Sequence, residues 1–225
     1  SEVLFVSHLT NRRQILKDSD AYFGDLPNQL LQNGISNSIV LINHAKVSKK
    51  QVLKGWSDSK IQRFILSSSL NFISEVSTYF SQLKSKRQLK SILKGLQIDE
   101  VLAQDILNNQ LSSNTFNALR VARQVTDIAR KTNAKFIVTT YEGHAWERLV
   151  FCYAREFNPN IKCLSYQHAA VFKHQHAIKR PLNKKYNPDV ILTSGLTGKD
   201  IFKQGQLQGT TVSCIGSPKH SDSSL

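Results

Sequence analysis

The hydrophobic pattern changes character twice along the chain. Residues 2–6, carrying Val3-Leu4-Phe5-Val6, read as a strand, followed by a polar loop through Ser7-His8-Leu9-Thr10-Asn11 and a helix around 25–33 that Gly34 is placed to end. Ile39-Val40-Leu41-Ile42 is an unbroken β-rich run, the mark of a parallel strand covered on both faces. The opening is therefore a β-α-β unit. From about 47 to 133 helices dominate, after a short strand at Phe64-Ile65-Leu66. Leu70, Phe72, Ile73, Val76, Tyr79, Phe80 and Leu83 recur at spacings of three and four and predict one apolar helix stripe. A second helix starts at Ser112, with Phe116, Leu119, Ala122, Val125, Ile128 and Ala129 facing inward and Arg120, Arg123 and Arg130 outside the stripe. From 134 a compact alternation returns: strand 135–140, helix 144–157, strand 161–166, a basic loop 167–187, strand 189–193, helix 197–204 and strand 211–215. Alternation of this kind predicts an α/β fold with a doubly wound parallel sheet. The expected organisation is one domain over 1–219, with a helical insertion at about 47–133 and a linker or tail beginning at 220–225.

Charge narrows the set of partners. With 30 Lys and Arg against 16 Asp and Glu, the net charge of +14 favours nucleotides, polyanions or an anionic membrane surface. The basic residues lack the aromatic interleaving of an RNA-recognition module, and no helix-turn-helix pattern is present, so nucleic acid is not the expected partner. Lys84-Ser85-Lys86-Arg87 reads first as a solvated helix end, with a ligand-binding patch as the alternative. No apolar run approaches the about 20 residues of a membrane helix. The N-terminus lacks the pattern of a signal peptide, which leads us to expect a cytoplasmic protein, at most peripheral to the inner face of the membrane. Methionine is absent even at position 1, so a piece of a longer product is expected. Cys152, Cys163 and Cys214 have no CxxC spacing and are expected to be packing residues, with no disulfide framework and no metal site.

Ligands of open parallel sheets bind at the carboxyl ends of the strands, where loops converge and helix N-termini present free N–H groups. Four such ends carry polar residues: Ser7, His8 and Asn11; Tyr141, Glu142, Gly143 and His144; Gln167 and His168; Ser194 and Gly195. Glu142 is placed either to act as a general base or sugar-hydroxyl ligand, or merely to cap the following helix; residue physics alone leaves both open. Gly143 allows a close approach, and Trp146, Leu149, Val150 and Tyr153 form the core stripe behind it. His168, His174 and His176 are not spaced as zinc ligands, and their loop, with Lys173, Lys179, Arg180, Lys184 and Lys185, is either anion-binding or simply solvated. Thr193-Ser194-Gly195-Leu196-Thr197-Gly198-Lys199 lacks phosphate-loop spacing, and neither G-x-G-x-x-G nor G-x-S-x-G occurs.

The runs Tyr141-Glu142-Gly143-His144-Ala145-Trp146-Glu147-Arg148, Tyr166-Gln167-His168, Asn187 to Gly195, and Ile215-Gly216-Ser217-Pro218-Lys219 together resemble GT-B-type glycosyltransferases of bacterial surface-carbohydrate (capsule or O-antigen) biosynthesis, and Phe5 to Asn11 fits the same group. The resemblance covers 134–219 most firmly, 1–45 more weakly, and not the helical middle. It implies an N-terminal Rossmann-like domain that binds a glycan or lipid-linked acceptor, with a nucleotide sugar held by a C-terminal domain outside this chain and no cofactor or metal required. Glu142 and His144 would then be catalytic, Glu142 as the base. Ser7, His8, Asn11, Tyr141, Gly143, Gln167, His168, Ser194 and Gly195 would bind substrate, with Ser217 and Lys219 where the chain crosses toward the donor domain. On this reading the isolated piece is expected to be inactive. The alternatives are a non-catalytic module binding glycan or anionic lipid, and a sugar-nucleotide epimerase-like enzyme.

Overall fold

The computed structural model describes residues 1–57, 59–96, 98–172, 175–205 and 207–218. Lys219, the 220–225 tail, Lys173 and His174 lie outside the described residues. Seven strands form one wholly parallel sheet: β1 (Val3–Leu9), β2 (Asn37–Asn43), β3 (Gln62–Ile65), β4 (Phe136–Thr140), β5 (Lys162–Gln167), β6 (Val190–Thr193) and β7 (Thr211–Cys214). The spatial order is β3-β2-β1-β4-β5-β6-β7, so the winding reverses between β1 and β4. In a Rossmann-like fold that reversal opens a crevice at the carboxyl edge of the sheet.

Every residue of β1 is buried, and its alternation feeds two cores. Leu4 and Val6 join Val40, Ile137 and Cys163 beneath α5 (Ser113–Lys131) and α6 (Ala145–Phe157). Val3, Phe5 and Leu9 join Ile39, Leu41 and Val138 on the other face, under α1 (Leu26–Gln32) and α2 (Lys49–Gly55). The strand also runs further than its apolar run suggests. Ser7, His8 and Leu9 keep register with Leu41, Ile42 and Asn43, so they belong to the strand and not to a loop. Buried polar side chains here find partners across the sheet edge, which lets the ladder continue.

The middle of the chain completes the sheet before it becomes helical. α2 is the crossover from β2 to the edge strand β3. α3 (Phe72–Gly95), α4 (Glu100–Asn109) and α5 then follow, with α5 packed on α6 as part of the core. α5 buries Leu119, Ala122, Val125 and Ala129, the stripe its sequence announces. α3 does not. Its buried residues are Thr78, Gln82 and Leu93, while Phe72, Ile73, Val76, Tyr79 and Phe80 are exposed. The inward side is fixed by polar bonds: Glu75 with Arg120 at 2.7 Å, Arg123 donating to the Thr78 hydroxyl at 2.6 Å, and Gln110 donating to Gln82 at 2.7 Å. β5 leads through two short 3-10 turns, at His176–Lys179 and Lys184–Tyr186, into β6, α7 (Leu196–Gln204) and β7. The cysteines are free, two buried and Cys214 half-buried, as expected of packing residues.

Candidate functional site

The turn from β4 into α6 is built around a buried carboxylate. Gly143 sits at φ +82, and a Cβ there would lie 2.6 Å from the Ala177 carbonyl carbon, so both its conformation and the passing backbone exclude a side chain. The N–H groups of Glu142, Gly143 and His144 all donate to Glu147, at 3.0, 2.9 and 2.9 Å. Glu147 has no exposed surface. Burial pushes its carboxyl up to about 7, against the pull of the N–H donors on the ionised form. Glu147 reaches back to the residue before the helix, as the acid of a capping box does. Glu142 is thereby released from capping.

Glu142 instead faces two imidazoles. Its Oε2 lies 3.0 Å from His144 Nε2, and its Oε1 lies 3.3 Å from His168 Nε2. The hydrogen bonds to His144 and His168 hold the Glu142 carboxyl far below the ordinary carboxylate range, and the bond to Glu142 raises His144. His168 Nδ1 is buried and has no hydrogen-bond partner among the described residues. Across the winding reversal, His8 at the end of β1 bonds Thr140 Oγ1 at 3.1 Å through Nε2 and His44 Nε2 at 3.0 Å through Nδ1. Burial lowers His8 to about 4, with the neighbouring His44 adding to the effect, so the ring is neutral near pH 7. A neutral ring carries one N–H, so one of these bonds is donated and the other accepted. Tyr22 packs edge-on against His168, ring centroids 4.7 Å apart, and also lies against His8 at 5.3 Å.

His8, Tyr22, Glu142 and His144 open onto a cleft of about 1580 Å3. His8, His44, Glu142 and His144 line it together with Ser67, Ser68, Ser69, Asn114 and Asn117. Its size exceeds the roughly 300–1,000 Å3 of a pocket for one small ligand. Beside these hydroxyl, amide and imidazole groups the lining carries Ile42, Phe64, Leu66, Val121 and Trp146, so the cleft offers hydrogen bonds together with apolar surface. Among the described residues, no three or more His, Cys, Asp or Glu side chains converge closely enough to hold a metal ion.

The remaining expected site residues are dispersed. Ser7 donates to Asp20 Oδ1 at 2.9 Å, and the same oxygen accepts the N–H groups of Tyr22 and Phe23. Ser7 therefore anchors the loop that places Tyr22. Asn11 caps the short 3-10 helix Arg12–Leu16 by accepting the Arg13 N–H at 2.9 Å. Tyr141 is buried, donates to the Ile178 carbonyl at 3.1 Å and lies under Arg148, 5.0 Å from its ring centre. Gln167 is buried beneath α7; a Cβ on Gly198 would come within 2.6 Å of its Oε1. Ser194 and Gly195 precede α7, with Gly195 its N-cap. Neither lines the cleft beside His8 and Glu142. Ser217 lies beside Tyr166, whose hydroxyl donates to the Gly216 carbonyl at 3.4 Å, and Lys219 falls outside the described residues. Sequence reasoning missed Glu147, His44 and Tyr22. Only Glu147 carried a signal, its position three residues after His144.

No family model matches the sequence, and no curated protein sequence matches it. Among solved structures, it is similar to UDP-GlcNAc 2-epimerase from Neisseria meningitidis, bound to UDP-GlcNAc. The TM-score is 0.51 at 10% identity, over 94% of this chain and 45% of that one. The chain thus spans less than half the length of its structural neighbour. At that identity the likeness speaks for the fold, a Rossmann-like α/β unit of the GT-B-like kind. No helix among the described residues is long and apolar enough to cross a membrane.

Proposed function

We propose that this chain is the acceptor-side domain of a glycosyltransferase that moves a sugar from a nucleotide-activated donor to a surface polysaccharide or lipid-linked glycan. The observation that carries the reading is the His144–Glu142–His168 unit, whose Glu142 and His144 line a large cleft beside the winding reversal. A carboxylate held as far down as Glu142 is a poor base at neutral pH, whereas an imidazole raised by a carboxylate partner is matched to it. His144 is the proton acceptor in this scheme. Its Nε2–H donates to Glu142, leaving the Nδ1 lone pair for the acceptor hydroxyl proton, and Glu142 sets tautomer and basicity. His168 fixes the other carboxylate oxygen. The 45% coverage of the epimerase chain fits a domain that works with a second half binding the donor.

The test is transfer from nucleotide sugars to glycan acceptors by the full-length protein. His144→Asn and Glu142→Gln are each expected to lower turnover by about 10²–10⁴-fold with folding intact. Wild-type turnover by His144→Asn would remove His144 from the chemistry. A second reading, favoured by the structural neighbour, is epimerisation of a nucleotide sugar. Conversion of the nucleotide sugar without any acceptor would decide for it. A non-catalytic glycan-binding module would bind acceptor in calorimetry and show neither reaction.

A further inference from the structure

Helix α3 turns its apolar side chains to solvent. Phe72, Ile73 and Phe80 are 82%, 79% and 63% exposed, with Val76 and Tyr79 beside them. At about 100° per residue, Phe72, Ile73, Val76, Tyr79, Phe80 and Leu83 fall within an arc of roughly 120°. Followed toward the C-terminus, the same side of the helix carries Arg87, Lys90 and Lys94, with Lys84 and Lys86 at its margins. One side of a rod about 36 Å long is therefore apolar for its first half and cationic for its second. Polar bonds hold that side outward, Glu75–Arg120 and Thr78–Arg123 to α5 and Gln82–Gln110 to the end of α4. Glu75 is the only carboxylate in the helix, and Arg120 occupies it.

We propose that this side of α3 docks the protein on an anionic phospholipid surface, with Phe72, Ile73 and Phe80 in the interfacial layer and the Lys84–Lys94 cations on lipid headgroups. Charge selects this occupant. Five cations stand without an acidic side chain among them, on a chain of net charge +14. A second copy, related by a two-fold axis, would set cations against cations or bury them on the partner's aromatic half. An anionic bilayer meets both halves at once, apolar groups entering the acyl boundary while cations stay at the headgroups. The inference does not depend on the sugar-transfer reading, because it rests on surfaces outside the cleft.

The experiment is flotation of the protein with vesicles of phosphatidylcholine alone or with phosphatidylglycerol added, in low and high salt. Binding is expected only to the phosphatidylglycerol vesicles and should weaken strongly between about 0.1 and about 1 M salt. K86Q/R87Q/K90Q should bind roughly a hundredfold more weakly, at about fivefold per cation near the surface. F72S/I73S/F80S should also lose binding, with circular dichroism confirming that both variants fold. Absence of wild-type binding to phosphatidylglycerol vesicles would overturn the proposal, as would undiminished binding by the serine variant. Concentration-dependent self-association in sedimentation equilibrium that F72S/I73S/F80S abolishes would overturn it in favour of an interface between copies. Loss of membrane binding with sugar transfer to a water-soluble acceptor intact would separate this surface from the cleft.

Discussion

Replacing Glu147 tests whether one buried carboxylate organises the candidate site. In Glu147→Ala, three backbone N–H groups lose their acceptor. A buried donor left without a partner costs about 1–3 kcal/mol, but Glu142 is half-buried and His144 exposed, so water can reach part of the turn. The expected loss is about 3–5 kcal/mol, a large share of the about 5–15 kcal/mol of a typical domain. Glu147→Gln keeps one oxygen, able to serve the Gly143 and His144 N–H groups, and turns an NH2 toward the Glu142 N–H; about 1–3 kcal/mol is expected. Urea denaturation followed by tryptophan fluorescence reads both. The pH dependence gives a second, independent readout. The folded-state pKa of Glu147 stands near 7, above its ordinary 4.5, so the folded protein keeps a proton that the unfolded chain releases. Its contribution therefore weakens stability as pH rises from about 4.5 to about 7, by about 3 kcal/mol in all. Glu147→Gln removes that slope. Wild-type stability in the alanine variant, or an unchanged pH slope in the glutamine variant, would refute the account.

His8 acts in the opposite direction: lowered from 6.5 to about 4, it refuses a proton that the unfolded chain accepts, so stability falls by about 3 kcal/mol as pH drops through that window. His8→Asn should abolish this acid-side loss, and a denaturation series from pH 7 to 4 would show it; an unchanged series would count against a buried neutral ring. Gly143→Ala combines left-handed strain of about 1–2 kcal/mol with overlap on the Ala177–Ile178 backbone, and a total loss of about 2–5 kcal/mol is expected in thermal unfolding.

Much of the sheet was legible because its strands announce themselves as continuous apolar runs. Ile39 to Ile42 is the clearest, and β4, β5 and β6 fall within a residue or so of their expected places. β1 was cut short because Ser7 and His8 break the apolar run, although cross-edge bonds to Asp20 and Thr140 satisfy them inside the ladder. The spacing on α3 marked a stripe correctly but could not say which way it faces, since periodicity carries no information about what lies opposite. The ion pair between Glu75 and Arg120 settles that, and it joins residues on separate helices. At the turn, Glu142 and Glu147 compete on paper for the cap; the His144-x-x-Glu147 spacing favours Glu147, and the structure gives it the cap. His44 had no signal, because its meeting with His8 follows from the register of two strands whose ends project together.

The seam between α3 and α5 has a further consequence for how the molecule comes apart. Water can replace its Glu75–Arg120 ion pair and Thr78–Arg123 hydrogen bond almost one for one, whereas nothing in solvent replaces the contacts of Ala122, Val125 and Val150 in the core beneath α5 and α6. The seam between α3 and α5 is thus expected to open before the sheet and its two cores do, held by little apolar contact beyond the stacking of Tyr79 on Phe116 and the burial of Leu93 and Leu107.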